Sequence, residues 1–322
     1  MSFRIGKQRY PAKIPVLEVP CEEVPPHTKP FIKWAGGKRW LARSLSGLFR
    51  DVEGRYIEPF VGSGACFFLT CVSKAAILSD MNDELMATYL AVRDHSELLI
   101  RRLSSLEINR RTFETMRLIK PGSHVGRATR FIYLNRTAFN GLYRVNRHGQ
   151  FNVPFGCKPT TKLCNPDVIR ACSKRLANAE LLTCDFEGTL ADIRTNDIVY
   201  LDPPYTVKHN TNNFRRYNRR IFSWDDQIRL ARQASTLAKR GVRVIVTNAL
   251  HRHVRDLYSD TMFARFSLTR PTNMAATIEN RGSCEELILV SRSFGYTVPR
   301  LKSLLSCDSN DKVLRIVTSL RG

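Results

Sequence analysis

Short apolar runs recur along this chain, and patterns suited to helices separate several of them. The runs are Tyr56–Phe60, Ala75–Leu78, Leu181–Cys184, Ile198–Leu201, Val242–Thr247 and Leu287–Ser291. Each has the length of a strand rather than a helix. Helices are expected at Ala65–Thr70, from Asp83 onward, and at Gln227–Lys239, which is amphipathic. This alternation admits few architectures. It predicts an α/β fold, an open and doubly wound sheet with helices on both faces.

Two regions break the pattern. Residues 1–30 hold Pro11, Pro15, Pro20, Pro25, Pro26 and Pro30, and read as an extended arm without helix. Residues 85–162 carry Arg101, Arg102, Arg110, Arg111, Arg117, Arg127, Arg130, Arg136, Arg144 and Arg147 among helix-like segments, with Phe and Tyr between them. They read as a basic, mostly helical insertion, although a solvated helical face is the plainer account of the arginines. The sheet-forming domain then comprises residues 31–84 and 163–296, and the tail 297–322 has no assignment.

Charge narrows the choice of partner. Lys and Arg total 51 against 29 Asp and Glu, a formal net charge of +22. An excess of that size repels itself in a compact chain unless a polyanion shares it. A ribosome-associated or simply basic protein also fits. The nine Cys are scattered, and the closest spacing is Cys66 to Cys71. Neither a zinc site nor a disulfide framework is supported, so reduced thiols in the cytoplasm are expected. No apolar run approaches the roughly 18 residues that span a bilayer. The early basic residues have no apolar segment behind them, so secretion is not expected.

Between the first expected strand and helix lies Phe60-Val61-Gly62-Ser63-Gly64. Glycines there let the backbone turn sharply and approach a ligand closely. Asp80, at the end of the next strand, stands where doubly wound sheets place a carboxylate for ribose hydroxyls. The glycine pair alone could equally be a structural turn; the pairing with Asp80 favours a nucleoside-containing cofactor. Phe67 occupies the third glycine position of the dinucleotide pattern, which argues against NAD. Lys33-Trp34-Ala35-Gly36-Gly37-Lys38 is a second unusual cluster. It fails as a phosphate loop, because Arg39 follows Lys38 and no Gly stands at position 32.

The strand Ile198–Leu201 runs directly into Asp202-Pro203-Pro204-Tyr205. A carboxylate, a rigid carbonyl and a flat ring at a strand's C-terminal end suit an amino group on a conjugated base. Such nitrogen is a poor nucleophile because its lone pair is delocalised into the ring. Asp202 and the Pro203 carbonyl can accept both of its N–H bonds and favour a tetrahedral nitrogen, which attacks a sulfonium methyl in line. Tyr205 would stack on the base. A base inside a duplex cannot reach such a pocket unless it is flipped out.

Together these motifs resemble the Dam family of DNA adenine-N6 methyltransferases, of the α group and D12 class. The resemblance runs from about Pro30 to Ser291. It rests on Lys33–Lys38, Glu58–Gly64, Asp80-Met81-Asn82, Asp202–Tyr205 and the long string Asn140–Gly156, in that family's order of cofactor turn, recognition insertion and catalytic tetrapeptide. It implies a Rossmann-like methyltransferase sheet and S-adenosyl-L-methionine as cofactor, with S-adenosylhomocysteine as product and no metal. It also implies double-stranded DNA as partner, no membrane, a monomer or weak dimer, and a nucleoid-associated place in a bacterial or phage-infected cell. Carried onto this chain, it assigns Trp34, Lys38, Phe60, Gly62, Asp80 and Asp202 to the cofactor, with Asp185 and Phe186 near the cofactor adenine. Catalysis falls to Asp202, Pro203, Pro204 and Tyr205.

Read physically, Phe139–Pro154 suggests a β-hairpin, with turn signals at Asn140-Gly141 and His148-Gly149. Arg144 could read a guanine edge bidentately. The resemblance implies that Arg144 reads a guanine of GATC, Lys33 contacts the other end of the site, and Phe139 wedges beside the flipped adenine. Asn140, Leu142 and Pro154 match further recognition positions, and most remaining arginines of the insertion would hold phosphates. This chain departs from its relatives at Tyr143, where Cys is common, and at Gln150, where an acidic residue is common; Phe139 is Tyr in some of them. The alternatives are a DNA-binding relative without catalysis, an RNA adenine methyltransferase or a cytosine-N4 methyltransferase. Cytosine-N4 enzymes usually carry Ser in place of Asp202, and RNA enzymes have no need of this recognition segment.

Overall fold

A computed structural model describes residues 7–13, 24–72, 75–146, 148–157, 160–206, 222–271, 283–306 and 315–318. The chain divides into two compact units, Met1–Ala42 with Val61–Asp185 and Arg43–Phe60 with Phe186–Gly322. In chain order the strands are β1 (Gln8–Tyr10), β2 (Tyr56–Glu58), β3 (Ala76–Asp80), β4 (Ala179–Thr183), β5 (Ile198–Leu201), β6 (Arg243–Ala249), β7 (Phe263–Pro271), β8 (Ser283–Ser291) and β9 (Arg315–Thr318).

In the first unit, β3 and β4 pair in parallel from Ala76↔Ala179 to Asp80↔Thr183, and β1 pairs antiparallel to β4. Part of the expected arm is therefore an edge strand. The buried guanidinium of Arg93 holds it, donating to the carbonyls of Pro11 (2.9 Å) and Ala179 (3.0 Å). Helices occupy Asp83–Asp94, Ser96–Ser104, Arg110–Leu118, His124–Thr137 and Pro166–Leu176. Asn82, Asn109, Ser123 and Asn165 cap four of them, each side chain accepting a first-turn amide that the helix cannot satisfy itself. His124–Thr137 is buried along most of its length. It buries Phe131, Ile132, Tyr133 and Leu134 together with the polar Arg130 and Asn135.

The second unit orders its strands β2-β5-β6-β8-β7-β9. β2, β5 and β6 run parallel, whereas β8 is antiparallel to β6, β7 to β8 and β9 to β7. The architecture is thus mixed α/β rather than uniformly parallel. β7 escaped the sequence reading because Arg265, Ser267 and Thr269 interrupt its apolar side chains. The helix Trp224–Lys239 starts three residues earlier than expected, at a capping box between Ser223 and Asp226. The unassigned tail contains a further helix, Val298–Ser306, with Leu301 and Leu305 buried.

Cys71 is disulfide-bonded, which corrects the expectation of reduced thiols throughout; Cys66, Cys157, Cys164, Cys172 and Cys184 keep their thiols. No helix among the described residues is long and apolar enough to cross a membrane.

Candidate functional site

The first unit assembles Trp34, Gly62 and Asp80, three of the expected cofactor residues, around a tight turn. Val61 N donates to Ser79 O (2.9 Å), Gly62 N to Asp80 Oδ2 (3.2 Å), and Asn82 N to Asp80 Oδ1 (2.9 Å). The turn is thereby fastened to the C-terminal end of β3, with the Asp80 carboxylate as its anchor. Gly62 and Gly64 have φ of +46° and +65°, a region that favours glycine. The Tyr89 hydroxyl donates to Gly62 O at 3.0 Å, completing the brace. Burial pushes the Asp80 carboxyl up to about 6, against the pull of the backbone amides of Asn82, Gly62 and Met81.

Trp34 enters the same place. Its indole lies against the bare Cα of Gly62 and stacks on Phe131, with centroids 6.1 Å apart and planes at 26°. The turn that presents it is closed by Gly37 N donating to Trp34 O (3.1 Å) and by Gly36 at φ +78°. Lys38 is buried, and its Nζ donates to Gly36 O at 3.2 Å. Trp34, Gly62 and Asp80 are therefore brought together, with Lys38 folded onto their loop. Asp185, partly exposed, follows β4 and ends this unit.

The same unit holds the expected DNA-contacting residues. The side chain of Asn135, fully buried, accepts from Lys33 N (2.9 Å) and donates to Lys33 O (2.8 Å) and Gly141 O (3.0 Å). One amide thus joins the Lys33 backbone to the Asn140-Gly141 turn. The segment beyond does not form a continuous hairpin ladder. Among the described residues it pairs at the isolated bridges Ala138↔Phe155 and Val145↔Phe151 and through the backbone bonds of Phe139 N to Pro154 O, Asn152 N to Arg144 O and Asn146 N to Gln150 O, while Asn140-Gly141 is a 3-10 turn with positive φ. The reversal lies at Asn146–Gln150, where Asn146 Oδ1 accepts from both His148 N and Gln150 N.

Alternation sorts the side chains of this segment. Gly141, Phe151 and Val153 turn inward and Tyr143 is half-buried, while Phe139, Asn140, Leu142, Arg144 and Pro154 face solvent. Phe139 is 52% exposed, unusual for a large apolar side chain. Tyr143 rests on Phe131 at 4.1 Å and Phe151 at 5.3 Å, and burial pushes its hydroxyl up to about 12. Arg144 Nε donates to Asn152 Oδ1 at 2.9 Å, which orients the guanidinium outward from the loop. Several arginines expected on phosphates are instead spent on the protein. Arg127 pairs with Asp83 and Glu84, and Arg130 donates to the carbonyls of Met116 and Arg117.

The second unit holds the tetrapeptide. β5 is buried throughout, and Asp202 leaves its C-terminal end between the parallel neighbours β2 and β6. Thr247 Oγ1 donates to Asp202 Oδ1 at 2.8 Å, and the Tyr205 hydroxyl donates to the buried carboxylate of Glu286. Gln227 Nε2 reaches Pro204 O at 3.5 Å and is itself held by Asn248 Nδ2 at 3.2 Å. Phe60 meets Phe186 at 5.6 Å and Phe222 at 5.5 Å, and Arg229 lies over the Phe186 ring at 4.7 Å. Phe60 and Phe186 thus share an aromatic cluster with Phe222.

Residues 34–276 match the sequence profile of the D12 class N6 adenine-specific DNA methyltransferases. The chain belongs to that family. It is 34% identical over 273 residues to the type II methyltransferase M1.LlaDCHI of Lactococcus lactis subsp. cremoris, covering 82% of this chain and 95% of that relative. It is 37% identical over 243 residues to the type II methyltransferase M.MjaIII of Methanocaldococcus jannaschii, covering 69% of this chain and 84% of the relative. With the DNA adenine methylase of Escherichia coli K12 it shares 32% identity over 226 residues, covering 68% of this chain and 80% of that protein.

This DNA adenine methyltransferase therefore has DNA as substrate and needs a methyl donor. Sequence reasoning missed the residues that brace its motifs: Asn135, Thr247, Asn248, Gln227 and Glu286. The legible signal was polarity out of place, since Thr247-Asn248 closes an apolar strand and Asn135 interrupts an apolar helix face. Buried polar side chains of that kind need partners, and here the partners are the motifs themselves.

Proposed function

We propose that the enzyme takes its methyl group from S-adenosyl-L-methionine and places it on adenine N6 within GATC, after flipping the base out of the duplex. The residues present fit that donor. Asp80 offers carboxylate oxygens at a strand end to ribose hydroxyls, Trp34 a flat apolar wall, and Gly62 backbone with no Cβ to block approach. Lys38, Phe60, Asp185, Phe186 and Asp202 are the other residues assigned to the donor. When bound, the donor supplies an electrophilic methyl group.

The chain's own work is to bind, orient and exclude water. Asp202 and the Pro203 carbonyl accept the two amine hydrogens and turn the nitrogen lone pair toward its target. Pro203 and Pro204 keep that carbonyl rigid, and Tyr205 gives the base a face to stack on. Phe139 fills the space left by the extruded adenine, Arg144 reads a guanine edge, and Lys33 reads the other end of the site with Asn140, Leu142 and Pro154 between. The observation that carries this reading is the placement of Asp202 at the C-terminal end of a buried parallel strand, with its carboxylate held by Thr247.

The test is transfer of labelled methyl from S-adenosyl-L-methionine to duplexes that differ only in a GATC site, followed by analysis of the modified base. N6-methyladenine confined to GATC is the expected outcome. Methyladenine at unrelated sites would discard the specificity, and labelled RNA or N4-methylcytosine would discard the substrate.

A further inference from the structure

We propose that Thr247, itself held by Tyr200, is a positioning residue for the Asp202 carboxylate, fixing the direction in which that carboxylate faces the adenine amine. The inference rests on the reading of Asp202 as the amine's acceptor. Asp202 lies just past the last residue of β5, where a side chain is no longer locked between neighbouring strands. Its neighbour in the sheet supplies the lock. Leu201 pairs with Val246, so Thr247 stands one residue further along β6, level with Asp202. From there Thr247 Oγ1 donates to Asp202 Oδ1 at 2.8 Å.

The order of donation follows from counting hydrogens. A hydroxyl has one, and Thr247 spends its own on Asp202. The Tyr200 hydroxyl, 3.0 Å from Thr247 Oγ1, is therefore the donor in that pair. Tyr200 gives to Thr247, and Thr247 gives to Asp202. Tyr200 is 1% exposed and Thr247 fully buried, so water does not compete for the bond between them. Thr is also β-branched and stiff about χ1, which makes it a better strut than Ser at this position. Each bond in the series strengthens the next, and the arrangement presents an aligned acceptor before the substrate arrives.

Such a device acts on the chemical step. A small misplacement of a reacting group can cost up to about 100-fold in rate without loosening the ground-state complex. The experiment compares wild type with Thr247→Val, Thr247→Ser, Tyr200→Phe and Asp202→Ala in the full chain. Single-turnover methyl transfer to a GATC duplex is measured beside equilibrium binding of S-adenosyl-L-methionine and of DNA, and thermal unfolding.

Thr247→Val is expected to lower the transfer rate about 10- to 100-fold while both affinities stay near wild type. Thr247→Ser should recover most of the rate, and Tyr200→Phe should show a smaller loss of the same kind. A Thr247→Val rate near wild type overturns the proposal, as does a loss fully accounted for by weaker binding. If Thr247→Val does not fold, Tyr200→Phe decides alone, and an unchanged rate there overturns the series. Turnover by Asp202→Ala would instead overturn the reading of Asp202, a failure distinct from that of Thr247.

Discussion

A Cβ placed on Gly62 would lie 2.8 Å from Cδ1 and 2.9 Å from Nε1 of Trp34. The two residues come from separate motifs, and the contact makes them one surface: the indole occupies the room a side chain at position 62 would need. Gly62→Ala is therefore doubly penalised, by the indole and by its φ of +46°. The expected result is a loss of about 1–3 kcal/mol in stability and at least a tenfold weaker S-adenosyl-L-methionine affinity, on the order of 1.4 kcal/mol. Calorimetric titration and denaturant unfolding of the variant check both, and unaltered donor affinity would place the donor elsewhere.

Asp80 gives the donor site a pH dependence. Burial raises its carboxyl from 3.8 to about 6, so the folded chain keeps this proton to higher pH than the unfolded one. Its contribution to stability is present below about 4 and is lost as pH rises through about 6. Ligand binding runs the other way, because ribose hydroxyls donate best to an ionised acceptor. S-adenosyl-L-methionine affinity should therefore strengthen as pH climbs through about 6 and level off above it. Asp80→Asn should flatten both dependences. Titrations across that range test this, and a pH-independent affinity in wild type would remove Asp80 from the site.

Arg144 and Asn152 make a prediction about sequence reading. Asn152 Oδ1 accepts from Arg144 Nε and leaves the outer face of the guanidinium for a base edge. Arg144→Ala should cost roughly 1–3 kcal/mol of discrimination at one guanine, and Asn152→Ala a smaller part of the same discrimination. Methylation rates on duplexes substituted at single positions of GATC measure it. Binding weakened equally on every duplex, with specificity unchanged, would make Arg144 a phosphate contact instead.

The strands β2 to β6 and the end of β8 were legible as apolar runs, and the motifs as chemical oddities beside them: a glycine turn beside Asp80, a rigid Asp-Pro-Pro-Tyr behind an apolar strand. β7 was not, since its Ala264, Phe266 and Leu268 alternate with Arg265, Ser267 and Thr269 and never form the continuous apolar run by which the other strands were read. The segment Phe139–Pro154 reverses at the second expected turn signal, His148-Gly149, whereas Asn140-Gly141 turns at the helix exit under the hold of Asn135. Arg127 and Arg130 look from sequence like phosphate contacts, yet the first faces carboxylates and the second faces carbonyls. Those partners lie far along the chain, and local patterning carries no information about them.

The most direct test of the account compares wild type with Asp202→Ala, following labelled methyl from S-adenosyl-L-methionine into a GATC duplex while DNA binding is measured on the same samples. The account predicts N6-methyladenine from wild type and none from the variant, with DNA affinity little changed. Substantial turnover by Asp202→Ala would contradict it, because the amine would then be held without the Asp202 carboxylate.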